Sequence, residues 1–183
     1  MEKAIDRRYV IPPGIIEMMS SDSWIKTCAP FPDDYADTHD LFVQGKTVFT
    51  AESFGLFCAY YIPCEKGGLS FDAVTTVVVT ETDLIFRDHW NEILINSKEE
   101  AVTFRRAVED CAVLLIYDVN FSGMPLEYQP RFVMNVTNIV RARHCYDHMR
   151  TVMTSRDDPV EHFAHKGLAE SLAKHFVKVD LDA

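Results

Sequence analysis

Between residues 141 and 150 the chain gathers Arg141, Arg143, His144, Asp147, His148 and Arg150. On a helical period Asp147 falls four residues after Arg143 and three before Arg150, so one carboxylate can reach both guanidinium groups. Exposed, such a unit is an ion-pair ladder worth only tenths of a kcal/mol. Partly buried, it becomes an arginine pair held by Asp147 and aimed at a carboxylate or phosphate. Arg141, Arg143, Asp147 and Arg150 are therefore candidate binding residues. Tyr146, Met149 and Met153 join them, because aromatic and methionine side chains are enriched at interfaces. No residue is assigned a catalytic role.

His144 and His148 stand four apart and could both reach one metal ion on a helix. A third ligand is missing, and Arg141 and Arg143 disfavour a cation beside them. No metal is expected; a metal-dependent hydrolase using these histidines is the alternative. His162 and His165, three apart, fit solvated positions better. His89 beside Asp88 suggests an oriented acid–base residue, but adjacent residues on a strand point to opposite faces. The chain has no GxSxG, no phosphate-cradling glycine loop and no dinucleotide fingerprint, so no cofactor is expected.

The elements that must position these residues follow from periodicity. Ser97–Val119 places Ala101, Phe104, Val108, Cys111, Ala112, Leu115 and Val119 on one helical face, with Ser97 and Glu100 spaced as a capping box. Its second half, from Cys111, is apolar all round. A strand over Cys111–Tyr117 competes, yet no turn residue precedes it, so one helix over 97–117 is expected. A second helix is expected over 131–154, where the stripe Phe132, Val136, Ile139, Val140 gives way to a rotated one through Ala142, Cys145, Tyr146, Met149, Val152 and Met153. Such a helix either breaks near Arg141 or exchanges one packing partner for another. A third, over 159–177, opens with an Asp cap and Pro159 in its first turn.

Residues 1–40 read as helical turns and an acidic loop around Asp33, Asp34, Asp37 and Asp40. From Leu41 to Trp90 the pattern shortens to strands: a hairpin at Gln44-Gly45, an aromatic strand over 54–62, the run VTTVVVT within 69–80, and LIFRDHW. Short connections imply antiparallel neighbours. The expected fold is thus a single α+β domain, an antiparallel meander of about five strands packed against three helices.

With 183 residues, 48% hydrophobic and 25% charged, the chain can bury one substantial core. Its net charge of −10 disfavours direct binding to nucleic acid or to an anionic membrane. Five cysteines without a CxxC point to a reducing compartment, and no signal-type or membrane-spanning run is present, so a cytoplasmic location is expected. The charge is uneven: residues 131–156 hold five arginines and one acid, leaving −14 on the remainder. An acidic surface of this kind speeds encounter with a basic one. The function expected from these features is a non-catalytic protein that regulates or inhibits a macromolecular partner with a basic surface, and the stripe through Tyr146, Met149 and Met153 would suit a homodimer.

Overall fold

The computed structural model describes residues 40–47, 51–52, 54–55, 59, 75–86, 106–144 and 149–181. Their elements in chain order are β1 (Asp40–Gln44), β2 (Thr76–Val79), α1 (Glu81–Phe86), β3 (Val113–Val119), α2 (Gln129–Arg143), β4 (Arg150–Ser155), α3 (Pro159–His162), α4 (Lys166–Ala173) and β5 (Val177–Asp180). The backbone is also helical at 51–52, 54–55, 59 and 106–110.

All five strands run parallel in one sheet, in the order β2-β3-β4-β1-β5. Side chains that alternate along each strand therefore form rows across the sheet. Val78, Leu115, Val152, Leu41 and Val177 make a row on one face. Val79, Ile116, Met153 and Phe42 make the next, on the other. Parallel crossovers are right-handed. The step from β1 to β2 runs opposite to every later step, so its helix must lie on the opposite face. Ala51 and Ala59 accordingly pack with Leu41, Val43, Leu115 and Val152. Leu84 and Ile85 of α1, Phe132, Val136 and Val140 of α2, and Ala169 and Leu172 of α4 pack on the other face. There Phe121 meets Phe42, Phe132 and Phe163 edge-on, at centroid distances of 6.1, 6.1 and 5.2 Å.

The antiparallel meander is thereby corrected to a parallel α/β sheet. Gln44-Gly45 is not a hairpin turn but the exit from β1 toward a helix. Residues 54, 55 and 59 of the expected aromatic strand are helical, and LIF (84–86) closes α1. The helix expected over 97–117 is helical at 106–110 and then becomes β3, the competing reading at Cys111–Tyr117. Val113, Leu114, Leu115 and Ile116 are all 0% exposed. A strand covered on both faces needs apolar residues at every position, which removes the alternation that would mark it as a strand. Each such side chain contributes about 1.5–3 kcal/mol of burial.

The helix expected over 131–154 ends at Arg143, and residues 150–155 form β4 instead. The rotated stripe was therefore the signature of a new element. The third helix is two: α3, capped by Asp158 Oδ1 on the Val160 N–H at 2.8 Å, and α4, followed by β5. Ser97 and its capping box lie outside the described residues, as does His89.

Where α2 ends, Arg143 is 2% exposed, and its guanidinium donates to the carbonyl oxygens of Val108 (2.7 Å), Cys111 (2.8 Å) and Arg150 (2.8 Å). Its Nε donates to Thr151 Oγ1 at 3.2 Å. Helix end, β3 entry and β4 entry are thus held by one side chain. Lysine cannot fork to these acceptors. Arg143→Lys should lower unfolding free energy by about 2–4 kcal/mol, whereas Arg141→Ala, at an exposed position, should stay within about 0.5 kcal/mol in urea denaturation.

The close approach of the β1–β2 helix to the sheet gives a second check. A Cβ at Gly55 would sit 2.4 Å from Val152 Cγ1, whereas one at Gly167 in α4 meets nothing within 4 Å. Gly55→Ala should cost about 1–3 kcal/mol, while Gly167→Ala should be neutral or stabilise by up to about 1 kcal/mol, read as paired thermal melts.

Candidate functional site

In an open parallel sheet, ligands bind beyond the carboxyl ends of the strands, where the winding reverses. Here the chain leaves β1 in one direction and β4 in the other, so the crevice lies between the ends of β1 and β4. Its floor is backbone: the Gly45 N–H donates to the Ser155 carbonyl at 3.1 Å, and the Leu181 N–H to Gln44 at 2.9 Å. Ser155 Oγ donates to the Val119 carbonyl at 2.6 Å and accepts the Asp157 N–H at 2.9 Å. Gln44 Oε1 is buried without a hydrogen-bond partner. As an acceptor, it suits a donor group and not a phosphate oxygen.

β3 ends in an irregular turn beside this crevice. Its register with β4 shifts between Ile116 and Val119, and Asp118 adopts φ 47°, the left-handed region that Asp tolerates better than most residues. The Asp118 N–H donates to Thr154 Oγ1 at 3.0 Å, and its carboxylate pairs with Arg156 at 3.2 Å. Next in the chain, the Asn120 N–H donates to Glu81 Oε2 at 2.6 Å and Asn120 Oδ1 accepts the Gly123 N–H at 2.9 Å. Asp157 Oδ2 accepts from the Ser122 N–H at 3.2 Å and lies 2.8 Å from its hydroxyl. Lys178 bonds Asp158.

The edge is electrostatically crowded with acid. Burial raises the Glu81 carboxyl above its usual range, opposed by the Asn120 N–H and reinforced by Asp118. Burial raises the Tyr117 hydroxyl too, with the charges of Glu52 and Asp118 adding to it and Arg156 opposing. Asp158 is held below its usual value: partial burial pushes it up, but the Lys178 and Val160 bonds outweigh that.

A strand ending in a glycine and leading to a helix invites comparison with the phosphate-binding loop, G-x-x-x-x-G-K-[ST]. Counted from Gly45, the later positions hold Thr50, Ala51 and Glu52. The second glycine, the lysine and the hydroxyl are all missing. Ala51 is 0% exposed, and a Cβ at Gly45 would meet Ala51 at 3.6 Å and Leu181 at 3.5 Å, so hydrocarbon lines the space beside the first glycine. Glu52 is buried as well. These residues do not fit a nucleotide triphosphate or its metal ion.

The residues singled out from sequence lie at the opposite edge. Arg143 and Arg150 are buried at the entry to β4, Arg141 is exposed, and Met149 and Met153 are 8% and 1% exposed instead of forming a surface stripe. Arg143 donates to the carbonyl oxygen of Arg150. Tyr146, Asp147 and His148 lie outside the described residues. His144 Nε2 is 3.0 Å from Asp40 Oδ2, so the acid read as part of a solvated loop begins β1 and is buried. Among the described residues no group of three His, Cys, Asp or Glu side chains could hold a metal ion, and no helix is long and apolar enough to cross a membrane. Asp118, Glu81, Glu52 and Arg156 escaped notice in the sequence. An apolar run closed by Asp118 was the available signal, and its assignment to a helix hid it.

A parallel five-stranded sheet in the order 2-3-4-1-5, with apolar packing on both faces, is a doubly wound α/β fold. No protein-family model matches the chain, and no curated protein matches it. Among solved structures it is similar to AMPPCP-bound DnaA from Aquifex aeolicus, with TM-score 0.52 and 12% identity over 98% of this chain and 51% of that one. It is similar also to the replication initiator DnaA bound to AMPPCP and single-stranded DNA, with TM-score 0.55 and 12% identity over 96% and 52%. A third likeness is to DnaI, with TM-score 0.51 and 14% identity over 90% and 93%. The chain thus spans about half the length of the DnaA chains it matches. The shared fold overturns the expected acidic inhibitor with an α+β architecture, and leaves the alternative of a histidine-metal hydrolase without support.

Because its folded-state pKa is raised, Glu81 favours folding more when protonated, and that contribution fades as pH rises above the unfolded value near 4.5. Glu81→Gln should therefore gain stability relative to the parent chain as pH rises from about 4 to about 7, measured by urea midpoints across the range. A difference independent of pH would contradict the burial assigned to this carboxyl.

Proposed function

We propose that the chain is a DNA-replication protein of the P-loop fold that works by binding other replication proteins and not by turning over ATP. The likeness in fold to DnaA and DnaI supports the replication context. One observation carries the departure from nucleotide chemistry: Ala51 and Glu52 stand where a lysine and a hydroxyl would meet phosphate and metal. A buried carboxylate at that position repels a triphosphate instead of neutralising it. The acids Glu81 and Asp118 are close enough to influence one another, which adds to the repulsion. The partner is a protein, because a net charge of −10 opposes a phosphate backbone.

Two measurements on the purified chain test this together. Titration with AMPPCP and magnesium should show no saturable binding below about 1 mM, and ATP turnover should stay far under the about 1 s⁻¹ floor of ordinary enzymes. In size-exclusion chromatography the chain should co-elute with the replicative helicase or the replication initiator from the same cells. Micromolar AMPPCP affinity, or measurable turnover abolished by Asp118→Asn, would overturn the proposal.

A further inference from the structure

Among the described residues, four basic side chains meet where two helices end. α2 and α4 pack against one another on the same face of the sheet, and both stop at the edge from which β4 and β5 begin. Arg141 and His144 come from the end of α2, and Lys174 and His175 from the turn after α4. Arg141, His144 and Lys174 are exposed and His175 is half-buried. Beneath them lies Asp40, buried, with its Oδ2 3.0 Å from His144 Nε2 and its Oδ1 accepting the Thr151 N–H at 2.8 Å. Arg143 faces the same carboxylate from the inner side. Among the described residues, one buried acid therefore sits amid Arg141, Arg143, His144, Lys174 and His175.

Burial holds His175 below its ordinary value, and the charges of Arg141, His144 and Lys174 hold it lower still against the pull of Asp40. Crowded like charges of this kind are relieved by an added anion. We propose that this edge is a docking surface for a carboxylate-rich segment of a partner protein, gripped by the exposed Arg141 and Lys174 with His144 and His175 between them. The surface is separate from the crevice at the opposite edge and does not depend on what that crevice binds.

The chemistry favours a peptide over nucleic acid. Helix C-termini present carbonyl acceptors and the negative end of the helix dipole, which disfavour any anion that brings no donors of its own. A peptide brings carboxylates for the four side chains and N–H donors for the carbonyls, whereas a phosphate backbone brings acceptors alone. The acidic remainder of the chain also repels an extended polyanion while leaving a short acidic segment room to dock.

The test is fluorescence anisotropy of a labelled oligoglutamate peptide on the full chain at low salt, beside oligothymidylate and inorganic phosphate. Affinity for the peptide should weaken about ten-fold as salt rises from about 20 mM to about 200 mM. Arg141→Ala with Lys174→Ala, both at exposed positions, should weaken it about ten-fold at low salt without changing far-UV circular dichroism. Arg106→Ala, also exposed, should leave it unchanged. Equal binding by the double variant, equal loss in Arg106→Ala, salt-independent affinity, or tighter binding of oligothymidylate or phosphate would each overturn the proposal.

Discussion

Arg143 carries the charge on which the lower edge of the sheet depends. A parallel sheet brings the entries to β3 and β4 side by side, and their backbone carbonyls face inward before any ladder begins. Buried carbonyls need donors, and a guanidinium supplies five in a fixed plane. Arg143 reaches Val108, Cys111 and Arg150 through its terminal nitrogens and Thr151 through Nε. Burying that cation costs free energy unless an anion lies near. Asp40 lies beside it: burial raises its carboxyl above the usual range, opposed by the Thr151 bonds and by the charges of His144 and Arg143. Helix α2, β3, β4 and β1 are thereby tied by two buried polar residues. The same arrangement withholds Arg143 from any ligand and leaves the exposed cations of the edge, Arg141 and Lys174, to face solvent.

How legible this was in the sequence varies with the element. The apolar stripe of α2 through Phe132, Val136, Ile139 and Val140 is buried as its period requires. The change of stripe near Arg141 was real, but it marked the end of a helix and the start of a strand. β3 shows why periodicity fails in parallel sheets: Val113–Ile116 is covered on both faces, so no alternation survives, and only Cys111 and Ala112 separate it from helical residues 106–110. A turn of two residues without Gly or Pro left no punctuation to read. Strand direction was also invisible, since it is decided by where the helices after β1, β3 and β4 pack and not by the strands themselves.

The crevice was harder still. Gly45, Glu52, Asp118 and Ser155 are spread over more than a hundred positions of sequence, and only strand order brings their ends to one edge. The left-handed Asp118 has no advance signature, because Asp is merely permitted there. The missing glycine loop was readable from the sequence, and its meaning was not. Until a parallel sheet places Gly45 at the winding reversal, the lack of G-x-x-x-x-G-K-[ST] is one absence among many.

The turn out of β1 is packed, with Ala51 and Leu181 lying against the space beside Gly45. A backbone turn that cradles a phosphate needs its N–H groups uncovered, and hydrocarbon takes that room here. Asp118 pairs with Arg156, which gives the end of β3 an internal counter-ion, while Gln44 Oε1 stays buried without a hydrogen-bond partner. The two edges differ in make-up: Glu81, Asp118, Asp157 and Asp158 stand at the ends of the strands, with Arg156 and Lys178 paired to two of them, and Arg141, Lys174 and two histidines gather near Asp40 at the beginnings. Parallel strands make this difference possible, since every strand start shares one edge and every strand end the other.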